Sequence, residues 1–271
     1  MTKDEVRSIF DLTGSVALVT GAAAGLGRAI AVGLAEFGAD IVAADIDDGG
    51  LAQTVATVNS LRRAALGLHC DTSQPDQIGE MFGQLDARFG HIDILVNNVG
   101  IIARSHPEDL ALPDWERVLR INLTGTFLCA QEAGRRMIAC GQGGSIINIS
   151  SIAGISALGR GNLVYSTTKG AINQLTRELA VEWANHNIRV NAILPAQMRT
   201  AWVERLTSGA DADALMKTFL GGVPLGRLGE PADLVGPVVF LASKAGAFVT
   251  GTLLPVDGGN LALNAGGSLN V

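Results

Sequence analysis

The fold is decided by Ser15-Val16-Ala17-Leu18-Val19-Thr20-Gly21-Ala22-Ala23-Ala24-Gly25-Leu26-Gly27. Residues 15–20 form a short apolar run that reads as a buried strand. Leu26, Ile30, Leu34 and Phe37 then recur at helical spacing, and Gly38 ends that helix as a C-terminal glycine should. Between strand and helix stand Gly21, Gly25 and Gly27. Glycines at such a junction let the backbone turn tightly and approach a pyrophosphate, while the helix N-terminus offers free N–H groups and a partial positive charge. A Gly-rich turn can also simply join two elements. The position between the first strand and the first helix favours a dinucleotide.

On either side of this stretch, strand-like runs alternate with helical ones. Residues 40–45, 64–71, 93–97, 145–150, 189–194 and 253–257 read as further strands. Helical patterns cover 75–89, 115–140, 164–185 and 231–243. Strands apolar on both faces imply a parallel sheet covered on both sides, and right-handed crossovers make it doubly wound. The expectation is α/β, one domain over 1–271, with about seven parallel strands and helices on both faces. No Pro-, Ser- or charge-rich linker interrupts it. A short lead (1–11) precedes the sheet. Residues 197–229 have weak periodicity and are too long for an ordinary connection, so they read as a substrate lid. A tail (260–271) has no reading.

Composition narrows the function classes. Of 271 residues, 48% are apolar and 17% charged, a balance that requires a large buried core. A formal charge of −6, with no run of Lys or Arg, argues against nucleic acid as a partner. No apolar stretch reaches the length of about 18 residues that a membrane span needs, and residues 1–7 lack a signal-peptide layout. Cys70, Cys129 and Cys140 show no CxxC spacing, so neither a disulfide framework nor a zinc site is expected. The four histidines show no HxxxH pairing, and no metal is expected. The chain reads as soluble and cytoplasmic.

Asp45 ends the second strand. A carboxylate there can accept hydrogen bonds from both adenosine ribose hydroxyls and would repel a 2′-phosphate. No basic residue lies among Ala22, Ala23 and Ala24 to offset that repulsion, so NAD is favoured over NADP. Asp47 and Asp48 are close by, and the choice of Asp45 rests on strand phase. A simple strand-end role is the plainer alternative.

There is one tyrosine, Tyr165. In Tyr165-Ser166-Thr167-Thr168-Lys169 the phenol and the amine share one face of a helix. A phenol has pKa ~10, and a neighbouring ammonium should lower it. The tuned group could then exchange a proton with an alcohol or a carbonyl oxygen. Ser150-Ser151 close the fifth strand, at the sheet end where ligands bind; Ser151 is preferred for its Ser-x-x-Gly context. Asn122 lies in an apolar helical stretch, where a buried amide must find partners. It could hold a water that relays protons to Lys169, or make a structural bond to backbone.

These residues and their order resemble the short-chain dehydrogenase/reductase family. The match runs from Asp11 to Gly259, through TGAAAGLG at 20–27, Asp71, NNVG at 97–100, Asn122, Ser151, YSTTK at 165–169, NAILPA at 191–196 and VDGG at 256–259. The resemblance implies a Rossmann sheet, a catalytic tetrad of Asn122, Ser151, Tyr165 and Lys169, and a homotetramer. It implies cofactor contacts from Gly21, Ala24, Gly25, Leu26, Gly27, Asp45, Ile46, Asp71, Thr72, Asn98, Gly100, Tyr165 and Lys169. Pro195, Met198 and Thr200 would hold the nicotinamide amide. Two positions depart from the family's usual words. Val99 replaces an Ala, and Ala196 replaces a Gly, which would be strained if φ there were positive.

The expected function is NAD-dependent hydride transfer between a secondary alcohol and a ketone. Within the family the wording is most similar to that of sugar-acid and polyol dehydrogenases. An NADPH-dependent 3-oxoacyl thioester reductase and a non-catalytic dinucleotide sensor are the alternatives. Arg160, Arg104 and Arg199 are rival partners for a substrate carboxylate. Trp202, in the lid, could wall the pocket or pin the lid.

Overall fold

The computed structural model describes residues 8–200 and 220–263, with Thr2, Val6, Val203, Met216 and Lys217. Trp202 and the rest of the lid's middle (201, 204–215, 218 and 219) lie outside the described residues, as do 264–271. The strands are β1 (Val16–Thr20), β2 (Asp40–Asp45), β3 (Ala65–His69), β4 (Ile94–Asn97), β5 (Gly144–Ile149), β6 (Ile188–Pro195) and β7 (Leu253–Val256). They form one 7-stranded sheet in the order β3-β2-β1-β4-β5-β6-β7. Every pairing is parallel. Among the described residues the α-helices with full bounds are α1 (Gly25–Glu36), α2 (Asp48–Ser60), α3 (Pro75–Phe89), α4 (Leu112–Leu119), α5 (Gly125–Cys140), α6 (Leu163–Glu182) and α7 (Val235–Ala242).

The two-residue strand period explains the layering. Ala17 and Val19 of β1 face one core with Ile30 and Leu34 of α1 and Val238 of α7. Val16 and Leu18 face the other, with Ile78 and Phe82 of α3 and Met137 of α5. Because both faces are covered, β1 has no polar side until Thr20. Each fully buried large side chain contributes roughly 1.5–3 kcal/mol.

Chain direction across the sheet reverses at β1, which is flanked by β2 and β4. A crevice therefore opens beyond the carboxyl ends of β1 and β4. The loops after β1, β2, β4, β5 and β6 all empty toward that sheet end, carrying Gly21, Ile46, Asn98, Ser151 and Ala196.

Several elements differ from expectation. The sequence pattern predicts no element over residues 46–63, yet α2 forms there, its N-terminus capped by the Asp47 carboxylate accepting from Gly50 N–H. Its Gly, Thr and Val content is poor for a helix, so packing of Leu51 and Val58 on the core decides it. The 115–140 pattern begins earlier, at Leu112, and is split by a π-helical turn over Arg120–Thr124. The 231–243 pattern opens as a 3-10 turn (Pro231–Leu234) under a capping box of Glu230 and Asp233. Ala196 is not among the described non-glycine residues with positive φ, so the anticipated strain does not arise.

The base of the 197–229 segment is closed. Gly229 N–H donates to Gln197 O at 2.9 Å and Arg199 N–H to Gly229 O at 2.6 Å. No described helix is long and apolar enough to cross a membrane.

Candidate active site

The cradle after β1 is built by close approach. Gly21 and Gly25 have φ of 68° and 53°. A Cβ on Gly27 would stand 2.0 Å from Gly21 O, so only glycine lets α1 start flush against the turn. Ala24 is the N-cap of α1 and offers no side-chain acceptor, so the first-turn amides lack the oxygen that a Ser or Asp cap provides. Asn98 stitches β4 to this turn, donating from Nδ2 to Thr20 O (3.1 Å) and Gly21 O (3.2 Å). Its own N–H is held by Thr20 Oγ1 at 3.0 Å.

A cavity of about 280 Å³ continues from this turn, lined by Asp45, Ile46, Asp71, Thr72, Asn98 and Gly100 among others. Asp45 Oδ2 accepts from Ala23 N–H at 2.9 Å, and Oδ1 from Ile46 N–H at 2.7 Å and Asp47 N–H at 3.2 Å. A carboxylate has about four lone-pair sites, so Oδ2 retains acceptor capacity. Arg28, on the first turn of α1, is consumed by Ala23 O, Gly50 O and Thr54 Oγ1. Asp71 turns its carboxylate onto Ser73 N–H at 2.9 Å. Cys70 also lines this cavity, and burial pushes its thiol up to about 11, which suits packing rather than nucleophilic chemistry.

A second cavity, also about 280 Å³, shares Asn98 and Gly100 with the first. Its lining brings together Leu26, Ser151, Tyr165, Lys169, Pro195, Met198 and Thr200. Uncapped helix amides, a glycine cradle and two cavities joined at Asn98 and Gly100 suit a dinucleotide laid across the sheet end.

Tyr165 and Lys169 emerge one turn apart on α6. Ser151 is in hydrogen-bonding contact with the Tyr165 hydroxyl and accepts from Ala153 N–H at 3.1 Å through Oγ. Ser150 turns away, bonded to Asn173 Oδ1 (2.7 Å) and Lys169 O (3.2 Å). Lys169 is 4% exposed, and its Nζ donates to Ile149 O at 2.8 Å. Burial lowers its pKa to about 8. The expected lowering of the phenol does not appear. Burial raises the Tyr165 pKa, and the Ser151 hydrogen bond opposes this only in part. The ammonium stands over the ring, 5.6 Å from its centroid, and is tied to backbone, so desolvation of the phenolate wins.

Asn122, fully buried, sits in the π-helical turn. Its amide clamps Ile101, accepting from Ile101 N–H at 2.8 Å and donating to Ile101 O at 2.9 Å. Nδ2 also donates to Thr168 Oγ1 at 3.2 Å, and that hydroxyl donates to Tyr165 O at 2.8 Å. Asn122 thus does not line either cavity but supports both walls. A Cβ placed on Gly100 would lie 3.5 Å from Lys169 Nζ and 3.7 Å from Asn122 Oδ1, so the room glycine leaves borders both atoms.

The sequence reading missed Thr168, a buried polar residue whose signal was its place one turn from Tyr165. It also missed Asn162 and Gln197, which line the second cavity with buried carbonyl oxygens that have no donor. Arg104 and Arg160 line it as well. Arg199 instead pairs with Glu230 at 2.6 Å.

Sheet, cradle and cleft define a nicotinamide-dinucleotide oxidoreductase, and the chain belongs to the short-chain dehydrogenase/reductase family. The model of the family described as "Enoyl-(Acyl carrier protein) reductase" matches residues 21–260. The chain is 41% identical over 257 residues to 2-dehydro-3-deoxy-D-gluconate 5-dehydrogenase of Escherichia coli (strain K12), covering 95% of this chain and 99% of the relative. It is 39% identical over 262 residues to D-threitol dehydrogenase of Mycolicibacterium smegmatis, covering 96% and 98%. A solved gluconate 5-dehydrogenase from Burkholderia cenocepacia, in complex with NADP and tartrate, superposes with a TM-score of 0.88 at 36% identity, over 96% of this chain and 100% of that one. The protein therefore interconverts a secondary alcohol and a ketone, acting on a CH–OH group.

Proposed function

We propose that the protein is an NAD-dependent dehydrogenase of a sugar acid, sugar or polyol. The observation that carries the reaction is the meeting of Tyr165, Ser151 and Lys169 with Pro195, Met198 and Thr200 in one cleft. A nicotinamide held by Pro195, Met198 and Thr200 would supply the hydride acceptor for the carbinol carbon. Tyr165 takes the hydroxyl proton at its phenol oxygen. Ser151 holds the substrate oxygen beside it. The Lys169 ammonium, buried beside the Tyr165 ring, favours the negative charge that Tyr165 acquires. Asn122 positions Ile101 and Thr168, and the space beside Gly100 gives a water access to both Lys169 Nζ and Asn122 Oδ1 for proton return.

The NAD preference rests on Asp45. Its free acceptor capacity suits ribose hydroxyls, its charge opposes a 2′-phosphate, and Arg28 is already engaged. The same argument weighs against an NADPH-dependent thioester reductase. Support for sugar acids and polyols comes from the relatives, which include an NAD-dependent glycerol dehydrogenase of Listeria innocua at 37% identity. Exposed Leu112, Phe127, Leu163 and Val181 on α4, α5 and α6 support assembly into a tetramer. The three unpaired cysteines fit a reducing cytoplasm.

A panel of sugar acids, polyols and hydroxyacyl thioesters, each run with NAD and with NADP, tests the proposal. Turnover of a sugar acid or polyol, faster with NAD, is expected. A thioester used faster with NADP would replace this reading by the reductase one.

A further inference from the structure

Gly159, Arg160 and Gly161 have successive left-handed φ values of 64°, 60° and 72°. Glycine adopts that region freely, but an arginine does not. Two other described non-glycine residues share it, Arg62 and Asn187. Arg62 follows the C-cap of α2, and Asn187 is itself the C-cap of a 3-10 turn, where left-handed residues are ordinary helix stops. Arg160 ends no helix.

The turn is held from both sides. Ser105 N–H donates to Gly161 O at 3.1 Å, and a Cβ on Gly161 would stand 2.9 Å from Ser105 O. Asn162 donates to Gly159 O through its N–H (3.3 Å) and its Nδ2 (3.2 Å). That second bond orients the amide, leaving Asn162 Oδ1 as the end that is buried without a donor. Asn162 is 7% exposed and lines the catalytic cleft. Arg160 lines the cleft and the adjoining cavity beside His106 and Ser166. Backbone strain held this firmly gathers at ligand clamps, and the unpartnered Asn162 Oδ1 in the same turn calls for a hydrogen-bond donor on a ligand, such as a substrate hydroxyl.

We infer that the 159–162 turn reads the substrate as an acid, with the Arg160 guanidinium taking a carboxylate away from the reacting carbon. This rests on the secondary-alcohol reading above and narrows its substrate class from polyols at large to hydroxy acids. A guanidinium suits the task because its planar fork matches a carboxylate, and Arg104 adds a second cation to the same cleft.

The test compares hydroxy acids (gluconate and 2-dehydro-3-deoxygluconate) with neutral polyols of equal chain length, in wild type, Arg160→Gly and Arg160→Lys. Glycine fits the left-handed φ, so the first variant stays folded with an undiminished Tm. Wild type should favour acids by about 10-fold or more in kcat/KM. Arg160→Gly should lose that preference, mainly through KM, and Arg160→Lys should keep part of it. An acid preference surviving in Arg160→Gly within about twofold overturns the inference, as does a wild type that prefers neutral polyols. In that last case the secondary-alcohol reading stands. If wild type oxidises nothing in either set, both readings fall together.

Discussion

Lys169 Nζ lies over the face of the Tyr165 ring, 5.6 Å from its centroid, rather than at the hydroxyl. Burial keeps the phenol above its ordinary pKa and brings the amine down to about 8. In the proposed mechanism alcohol oxidation needs Tyr165 without its proton, and ketone reduction needs the proton on. Oxidative kcat/KM should therefore climb with pH through the alkaline range, while the reductive value holds at neutral pH and falls at the alkaline end. The two steps belong to the pair rather than to either residue. Paired pH profiles check this, and an oxidative profile flat from about pH 6 to 10 would contradict it.

Removing the phenol oxygen separates chemistry from binding. Tyr165→Phe should lower kcat by about 100- to 10,000-fold while dinucleotide affinity, measured by titration, stays close to wild type. Retention of turnover would remove Tyr165 from its assigned role.

Lys169 makes a stability prediction with a definite sign. Its pKa falls from 10.5 unfolded to about 8 folded. Below pH 8 both states hold the proton, and the native state carries the full desolvation penalty. Between these two values the unfolded chain binds more protons, so this group's contribution to stability rises with pH, by about 3 kcal/mol in all. Lys169→Met should therefore be the more stable protein at pH 7, with the margin shrinking as pH approaches 10. Denaturant melts at several pH values measure the margin, and a gap that widens with pH would refute the burial argument.

The proposed NAD preference turns on one carboxylate. Asp45→Ser should narrow the NAD-over-NADP preference by about 10- to 100-fold, mostly through better NADP affinity, since each tenfold step is only about 1.4 kcal/mol. Initial rates with both cofactors provide the check. An unchanged ratio would mean that the 2′-phosphate is excluded by something other than Asp45.

The cradle tolerates no methyl group at Gly27, where a Cβ would meet Gly21 O at 2.0 Å. Gly27→Ala should cost about 1–3 kcal/mol of stability and weaken dinucleotide binding more than substrate binding. Calorimetric titration alongside thermal melts reads both effects.

Local patterns made much of this legible. Strand alternation, the glycines of 21–27 and the one-turn spacing of Tyr165 and Lys169 are periodicities within a few residues, and each corresponds to an element or face found in the fold. The helix over Asp48–Ser60 was not legible, because its residues are weak helix formers and long-range packing outvotes them. Nor was the π-helical turn around Asn122, which depends on clamping Ile101, a residue 21 positions away.

Apolar spacing and turn chemistry along the chain were enough to specify a parallel, doubly wound sheet and the residue types that arrive at its carboxyl edge, but not the strand order. What those groups become once gathered depends on packing between distant segments. Desolvation set the protonation of Tyr165 against its neighbour's influence, and loop-to-loop contacts held Arg160 in a backbone shape it would not choose. Both effects come from the low-dielectric, crowded surroundings that distant segments create together, and such surroundings leave no mark on any short stretch of sequence.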